Sequence, residues 1–373
     1  MRIFYVINSV EGGGAALPVP AVAQVLADQG AKVEILALTR RDGRALSPMT
    51  RRGLQVHVRE GGEKDHAAAL AWLDRMVVEH QPDLLWTSLT RATLLGQIVG
   101  LRRGVPVVSW QHSAYLKTAN RLLLRATQGL SDLWIGDSHS VTALTAARLK
   151  VKPDRLTTWP LFAADAAAPQ ARPWRPGEIL RLGALGRLHP AKGYDVLIKA
   201  LAHLRAKGFT PPVPFEVEIA GEGAQREQLQ ALIDQAGLDN VRLSGFCDTP
   251  RDFLAGLHLY LQPSRREGLC IAVHEAMQAG LPALVTAVGE MPYSVVDGVT
   301  GRVAPPCDAE ELAKALRRLL LAPDKLARMG EAARARVLER FGQARFAATG
   351  AEIFARLPVR REIQAPVIAS PAA

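Results

Sequence analysis

Only three cysteines occur in the 373 residues, Cys247, Cys270 and Cys307, and no C-x-x-C pair is among them. So sparse and odd a set supports neither a disulfide framework nor a zinc knuckle, and it fits a reducing compartment. Aromatic residues make up 5%, and they do not interleave with basic residues as a base-stacking surface requires, so nucleic acid is not an expected partner. Asp-x-Asp is absent. A metal held by that motif is therefore not supported, and neither metal nor cofactor is expected. No apolar run approaches the roughly 18–20 residues that span a bilayer. The first run, residues 3–7, is too short for a signal-peptide core and leads into polar residues and glycines. The expected protein is cytoplasmic, either soluble or peripheral on the inner face of the cytoplasmic membrane.

What is present is apolar bulk, at 48%, in a chain long enough for two cores. Lys and Arg exceed Asp and Glu by 46 to 36, giving a formal charge of +10. That excess favours anionic partners without choosing among phosphates, nucleic acid and an acidic membrane. Short apolar runs alternate with helical patterns. Strands are expected at 3–7, 32–38, 83–88 and 105–110, with helices at 14–29 and 65–80. Such alternation implies a parallel sheet covered on both faces.

The periodicity breaks at 163–178, a Pro- and Ala-rich stretch that reads as a linker. It then restarts, with strands at 180–185, 215–220, 241–244, 257–261 and 283–286 and helices at 195–207, 225–236 and 272–279. Helices at 309–321, 323–340 and 344–357 follow. The expectation is an α/β chain of two Rossmann-like domains, 1–165 and 178–343, facing each other across a cleft. The last helix can pack back on the first domain, and 358–373 reads as a disordered tail. Ligands belong at the carboxyl ends of the strands in that cleft.

Three segments carry chemistry. Gly12-Gly13-Gly14 follows the first strand, where bare backbone can approach a phosphate. The dinucleotide fingerprint's full spacing and downstream acid are missing, however. Gly186-Arg187 and Lys192-Gly193 open the second domain's first turn. A guanidinium fork and an ammonium on one loop suit a diphosphate, although an isolated Arg and Lys would read as a solvated basic loop. In the third segment Glu267 lies in the turn after a buried strand, Gly268, Leu269 and Cys270 follow, and Glu275 lies within the next helix, with seven residues between the two glutamates. Two glutamates alone would read as surface charge.

In combination these features, with Gly221-Glu-Gly223, Gly245-Phe246 and the Ala-Met-x-x-Gly-x-Pro run after Glu275, resemble family 4 of the retaining glycosyltransferases, the glycosyl transferases of group 1. The resemblance covers about residues 1–357 and is strongest over 183–306. It implies the GT-B fold and a UDP- or GDP-sugar donor. It also implies roles by position. Arg187 and Lys192 would neutralise the diphosphate and Glu275 would bind the ribose, with Gly13, Gly14, Gly186 and Gly221 also counted in the donor site. Gly245 and Phe246 would lie against the base. Glu267 would contact the transferred sugar, with the backbone of Gly268, Leu269 and Cys270 completing that site. His112, just after the strand at 105–110, would reach the sugar; His139 is a weaker candidate. His112, Glu267, Arg187 and Lys192 form the expected catalytic set.

The mechanism so implied places cations and helix N-terminal N–H groups where the leaving diphosphate gains charge. Two segments depart from the family pattern: Trp159-Pro160-Leu161-Phe162 replaces an Asn-Gly turn, and Gly289-Glu290-Met291-Pro292-Tyr293 replaces Gly-Gly-x-Pro-Glu. Both touch the sugar and acceptor side. Arg40, Arg41, Arg44, Arg51 and Arg52 crowd one span of the first domain, where a glycan or lipid-linked acceptor is expected. The helical run 115–130 mixes Lys117, Arg121 and Arg125 with leucines, as either an ordinary surface helix or one lying on anionic lipid would. A nucleotide-sugar epimerase and a non-catalytic nucleotide-sugar-binding protein are the competing readings of the same fold.

Overall fold

The protein is described by a computed structural model covering residues 1–113 and 115–358. The tail expected after residue 358 lies outside the described residues. The first sheet is parallel throughout, built from β1 (Arg2–Ile7), β2 (Lys32–Ala37), β3 (Gln55–Val58), β4 (Leu84–Ser88), β5 (Val107–Gln111), β6 (Leu133–Gly136) and β7 (Leu156–Thr158). Its spatial order is β3-β2-β1-β4-β5-β6-β7. Strand β1 shows why both faces must be covered. Ile3, Tyr5 and Ile7 enter one core, while Phe4 and Val6 enter another on the opposite face. The covering helices are α1 (Val19–Asp28), α2 (Leu46–Thr50), α3 (His66–His80), α4 (Thr90–Arg103), α5 (Thr118–Thr127) and α6 (His139–Leu149).

The second sheet repeats the plan with β8 (Leu180–Leu185), β9 (Phe215–Ala220), β10 (Val241–Gly245), β11 (Leu259–Gln262), β12 (Ala283–Thr286) and β13 (Gly301–Ala304), in the order β10-β9-β8-β11-β12-β13. Its helices are α7 (Tyr194–Ala206), α8 (Arg226–Gln235), α9 (Pro250–Ala255), α10 (Ile271–Gln278), α11 (Met291–Ser294) and α12 (Ala309–Leu320). In both sheets the strand order reverses beside the first strand, between β1 and β4 and between β8 and β11. Loops after those strands therefore open onto a crevice at each switch point.

Helices α13 (Leu326–Phe341) and α14 (Gln343–Ala355) tie the halves together. Helix α14 returns to the first domain and packs on α1. There the Trp159 indole N–H donates to the Phe346 carbonyl at 3.1 Å, and Trp159 stacks on Trp110 with centroids 5.0 Å apart. A buried aromatic column thus occupies the place of the expected Asn-Gly turn. The linker is irregular but tied down. The N–H groups of Ala164, Asp165 and Ala171 donate to Phe341 O, Gln278 Oε1 and Ala279 O, each at 2.7 Å.

Several boundaries differ from expectation for local reasons. Residues 14–18 form turns, with the Ala16 and Leu17 N–H groups bonding back to Gly13 O, and α1 begins only after Pro18. The run 115–130 is helical only over Thr118–Thr127, then tightens into a 3₁₀ turn at Gln128–Leu130. Strand β11 starts at Leu259 because Leu257 closes the turn that ends α9, through its N–H to Leu254 O.

Candidate active site

The expected site residues arrive at the carboxyl ends of β1, β5, β8, β9, β10 and β11, with Glu275 on α10, on both walls of the interdomain cleft. Gly13, Gly14 and Arg187 line one cavity of about 220 Å³ together with Ser9, Glu11, Arg41 and Ser88. A second cavity, of about 250 Å³, lies against the first residues of β8 and β9, at the opposite end of that sheet, and contains none of these groups.

Both cations of the second domain's first loop are paired with carboxylates. Arg187 crosses the cleft to Glu11 Oε1 at 3.2 Å, while Glu11 also pairs with Arg41. Lys192, ending the 3₁₀ turn Pro190–Lys192, donates to Glu267 Oε1 at 2.8 Å. Burial alone would lower the Lys192 pKa, but Glu267 beside it wins and holds the ammonium above its ordinary range. Gly193 keeps this loop against β11. Its φ is +68°, and a side chain there would collide with the Pro263 carbonyl.

Glu267 is held by several donors on one oxygen. Its Oε1 accepts from Lys192, from Ser264 Oγ–H at 2.6 Å and from Gln262 Nε2–H at 3.4 Å. Gln262 is in turn held by the Tyr260 hydroxyl, which donates to Gln262 Oε1 at 2.9 Å. With three donors on Oε1, Oε2 carries most of the remaining acceptor capacity. Beyond it, Leu269 and Cys270 are buried, and Cys270 caps α10 in the left-handed region at φ +62°. Among the described residues the N–H groups of Gly268, Leu269, Cys270 and Ile271 donate to no acceptor. They form an unsatisfied positive terminus at the start of α10. Gly14 faces it across the cleft, where an added Cβ would stand 3.4 Å from Ile271 Cδ1.

The domains touch closely at Gly268. A Cβ there would lie 2.5 Å from the His112 carbonyl oxygen, so only glycine permits the approach. His112 thus presents its backbone to the second domain, while its ring stays in the first. Its Nε2 lies 2.6 Å from Ser88 Oγ, and its Nδ1 lies 3.7 Å from Asp137. The Asp137 carboxylate favours the tautomer protonated at Nδ1, which leaves Nε2 to accept from Ser88. His139 sits exposed at the first turn of α6. Beside it the Ser140 N–H donates across the cleft to buried Glu290 at 3.1 Å.

Gly245 and Phe246 lie toward the outer rim. Gly221 N–H donates to Gly245 O at 2.6 Å. The Phe246 ring is 41% exposed and is covered by the Arg44 guanidinium at 3.5 Å. The arginine run of the first domain is not one patch. Arg40 pairs with Glu60, and Arg41 with Glu63 and Glu11, while Arg51 and Arg52 are exposed. Among the described residues no three His, Cys, Asp or Glu side chains gather as a metal site would.

Reading the sequence by motif misses Glu11, Ser88, Asp137, Ser264 and Glu290. Ser88 carries a usable signal, since it ends β4 just as His112 follows β5. Glu11 directly precedes the glycine run of the first loop.

Two family models match the chain, Glycosyltransferase Family 4 over residues 12–163 and Glycosyl transferases group 1 over residues 175–336. The chain belongs to this glycosyltransferase family. Among its relatives, a D-inositol 3-phosphate glycosyltransferase of Streptomyces scabiei is 27% identical over 92% of this chain and 86% of its own length. That of Streptomyces coelicolor is 34% identical, but the chain spans only 43% of it. The colanic acid biosynthesis glycosyltransferase WcaL of Salmonella typhimurium is 28% identical over 60% of this chain and 55% of its own length. Among solved structures, Anabaena HepE in complex with UDP-glucose superposes with a TM-score of 0.80 at 21% identity, covering 96% of this chain and all of that one. Sucrose-phosphate synthase of Thermosynechococcus elongatus gives 0.79 at 18%, covering 95% of this chain and 99% of that one. The fold is GT-B.

Glu275, on α10, is half-buried and has no hydrogen-bond or ion-pair partner among the described residues. Burial pushes its pKa up to about 7, with Arg251 opposing weakly. A carboxyl whose folded pKa is raised favours the fold while protonated, and that contribution is lost as pH rises from the unfolded value through about 7. Glu275→Gln is therefore expected to match the wild type near pH 5 and to be more stable at pH 8, by on the order of 1 kcal/mol. Thermal unfolding at the two pH values checks this, and equal differences at both would refute the unpaired carboxylate.

Proposed function

We propose that the chain is a retaining, metal-independent glycosyltransferase that moves a sugar from a UDP-sugar to a glycan or lipid-linked acceptor, in cell-surface polysaccharide or lipopolysaccharide synthesis. The observation that carries this reading is the convergence of Arg187, Lys192 and the free N–H groups at the start of α10 on one cleft. Breaking the glycosidic bond leaves an oxocarbenium-like sugar and a diphosphate gaining negative charge. Preorganised donors aimed at that diphosphate lower the barrier where charge develops. In this reading the diphosphate takes over Arg187 from Glu11, and Glu275 receives the ribose hydroxyls. Glu267, fixed through Oε1, offers Oε2 to the sugar. The tight contact of Gly268 with the His112 carbonyl shapes the reacting face. The base would lie near Phe246 and displace or share Arg44. HepE, solved with UDP-glucose, and WcaL, whose name places it in colanic acid biosynthesis, support the choice of donor and of a cell-surface polysaccharide pathway.

A screen of UDP, GDP, ADP and their glucose conjugates by thermal shift tests the donor. A UDP-specific rise in melting temperature is expected, lost in Arg187→Ala and Glu275→Ala. No shift with any nucleotide would sink the donor site. Binding without transfer to any acceptor would favour the non-catalytic reading, and an epimerised free nucleotide-sugar would favour the epimerase.

No helix among the described residues is long and apolar enough to cross a membrane. The proposed peripheral attachment rests on α5, which buries Leu124 but leaves Leu122 and Leu123 55% and 51% exposed beside Lys117, Arg121 and Arg125. Neighbouring α4 adds Ile98 and Leu101, 40% and 69% exposed. Apolar side chains flanked by cations suit an anionic lipid surface. Sedimentation with phosphatidylcholine vesicles, with and without phosphatidylglycerol, is expected to show capture only by the anionic ones. Arg121→Gln with Arg125→Gln should weaken capture by on the order of 2 kcal/mol. Capture independent of phosphatidylglycerol would refute it.

A further inference from the structure

Two loops of the first domain are fastened together beside the cleft. The Asp42 carboxylate accepts from the N–H groups of Gly12 and Arg44 at 2.9 and 3.1 Å, and the Ala45 N–H donates to Val10 O at 3.0 Å. Bare backbone at Gly12 lets the stem of Arg44 lie against it, since a Cβ there would stand 2.9 Å from Arg44 Cβ. The start of the Arg44 side chain is therefore fixed, and its outer torsions place the guanidinium. That group crosses to the second domain and covers the Phe246 ring, 3.5 Å from the ring centre. Asp42 stands 4.0 Å from its Nε, with both side chains more than a third exposed, so this ion pair holds it weakly.

Phe246 connects inward to the cavity that Gly13, Gly14 and Arg187 line. The neighbouring Gly245 carbonyl accepts from Gly221 N–H, and a Cβ on Gly221 would strike the carbonyl of Gly186, which precedes Arg187. An aromatic ring exposed at the rim, so close to a cation of the cavity, is a stacking platform for a base. The guanidinium lies a single stacking layer above that ring. A base on the ring thus takes the place of the guanidinium, which turns to the edge of the base because its stem stays on Gly12. A guanidinium only donates hydrogen bonds. At the ring position farthest from the ribose, uracil presents a carbonyl oxygen and cytosine an amino group. The carbonyl accepts from Arg44, whereas the amino group sets donor against donor and leaves both unpaired.

We propose that Arg44 is a specificity-determining residue, reading the donor's base from the opposite domain and selecting a uracil carbonyl over a cytosine amino group. This rests on the UDP-sugar reading of the cleft and adds the side chain that enforces the base.

Titration calorimetry with UDP and CDP tests it, because the two differ only in the base and neither needs an acceptor. Wild type is expected to bind UDP about tenfold or more tightly than CDP, the worth of one charge-assisted hydrogen bond. Arg44→Gln, which offers both a donor and an acceptor, should cut that ratio several-fold, and Arg44→Lys, still a donor, should keep most of it. Phe246→Ala should weaken both nucleotides alike. An unchanged ratio in Arg44→Gln would overturn the proposal, whichever way the affinities move. Both would fall together if the base were sandwiched between ring and guanidinium, and rise together if the cation only obstructed the ring. Equal affinity of the wild type for UDP and CDP, or Phe246→Ala binding both as the wild type does, would overturn it as well. Failure of UDP to bind the wild type at all would instead overturn the donor reading.

Discussion

The cleft depends on charge neutralisation between its cations and carboxylates. Arg187 reaches across to Glu11, and Lys192 sits on Glu267. Two cations concentrated near the free N–H groups of α10 would repel each other and the helix terminus if left bare. Carboxylates drawn from the protein hold them in place. The two pairs are not equivalent. Arg187 is 59% exposed and its bridge spans the domains, whereas Lys192 is 24% exposed and locked to a glutamate that further donors also hold. Exposed pairs contribute little to stability and exchange partners cheaply. In the proposed reading the Arg187 bridge is thus the one a donor diphosphate replaces, while the Lys192 pair keeps its place.

That frame is built from strand ends. Tyr260, Gln262 and Ser264 descend from β11 in a single relay that fixes one oxygen of Glu267. On the facing wall Ser88, at the end of β4, hydrogen-bonds the His112 ring, and Asp137, just after β6, lies 3.7 Å from its other nitrogen. Bonds across the cleft, such as Ser140 to Glu290, and the return of α14 onto α1 set one wall against the other. Groups positioned this way keep their geometry because buried strands, not surface loops, carry them.

How much of this is legible in the sequence follows from locality. Buried strands such as Arg2–Ile7 and Leu180–Leu185 are largely apolar runs, and the two-domain repeat can be read from them. Short strands such as Gln55–Val58 and Leu156–Thr158 have only half-buried or exposed residues and leave no such run. The motif residues Arg187, Lys192, Glu267 and Glu275 are legible because their chemistry is encoded within one loop or helix. Glu290 is not, and Glu11 and Ser88 carry only a positional signal, since each gains its meaning from a partner more than 20 residues away in sequence. The linker at 163–178 is visible as composition, but its anchoring to α10 and α13 is not.

The most direct measurement is the UDP affinity of Glu11→Gln by titration calorimetry. If the Glu11 carboxylate stands where the donor diphosphate belongs, removing its charge frees Arg187, and the variant should bind UDP several-fold more tightly, a gain of on the order of 1 kcal/mol. Weaker binding by Glu11→Gln would mean that the carboxylate helps to hold the donor, and would contradict its role as a stand-in for the diphosphate.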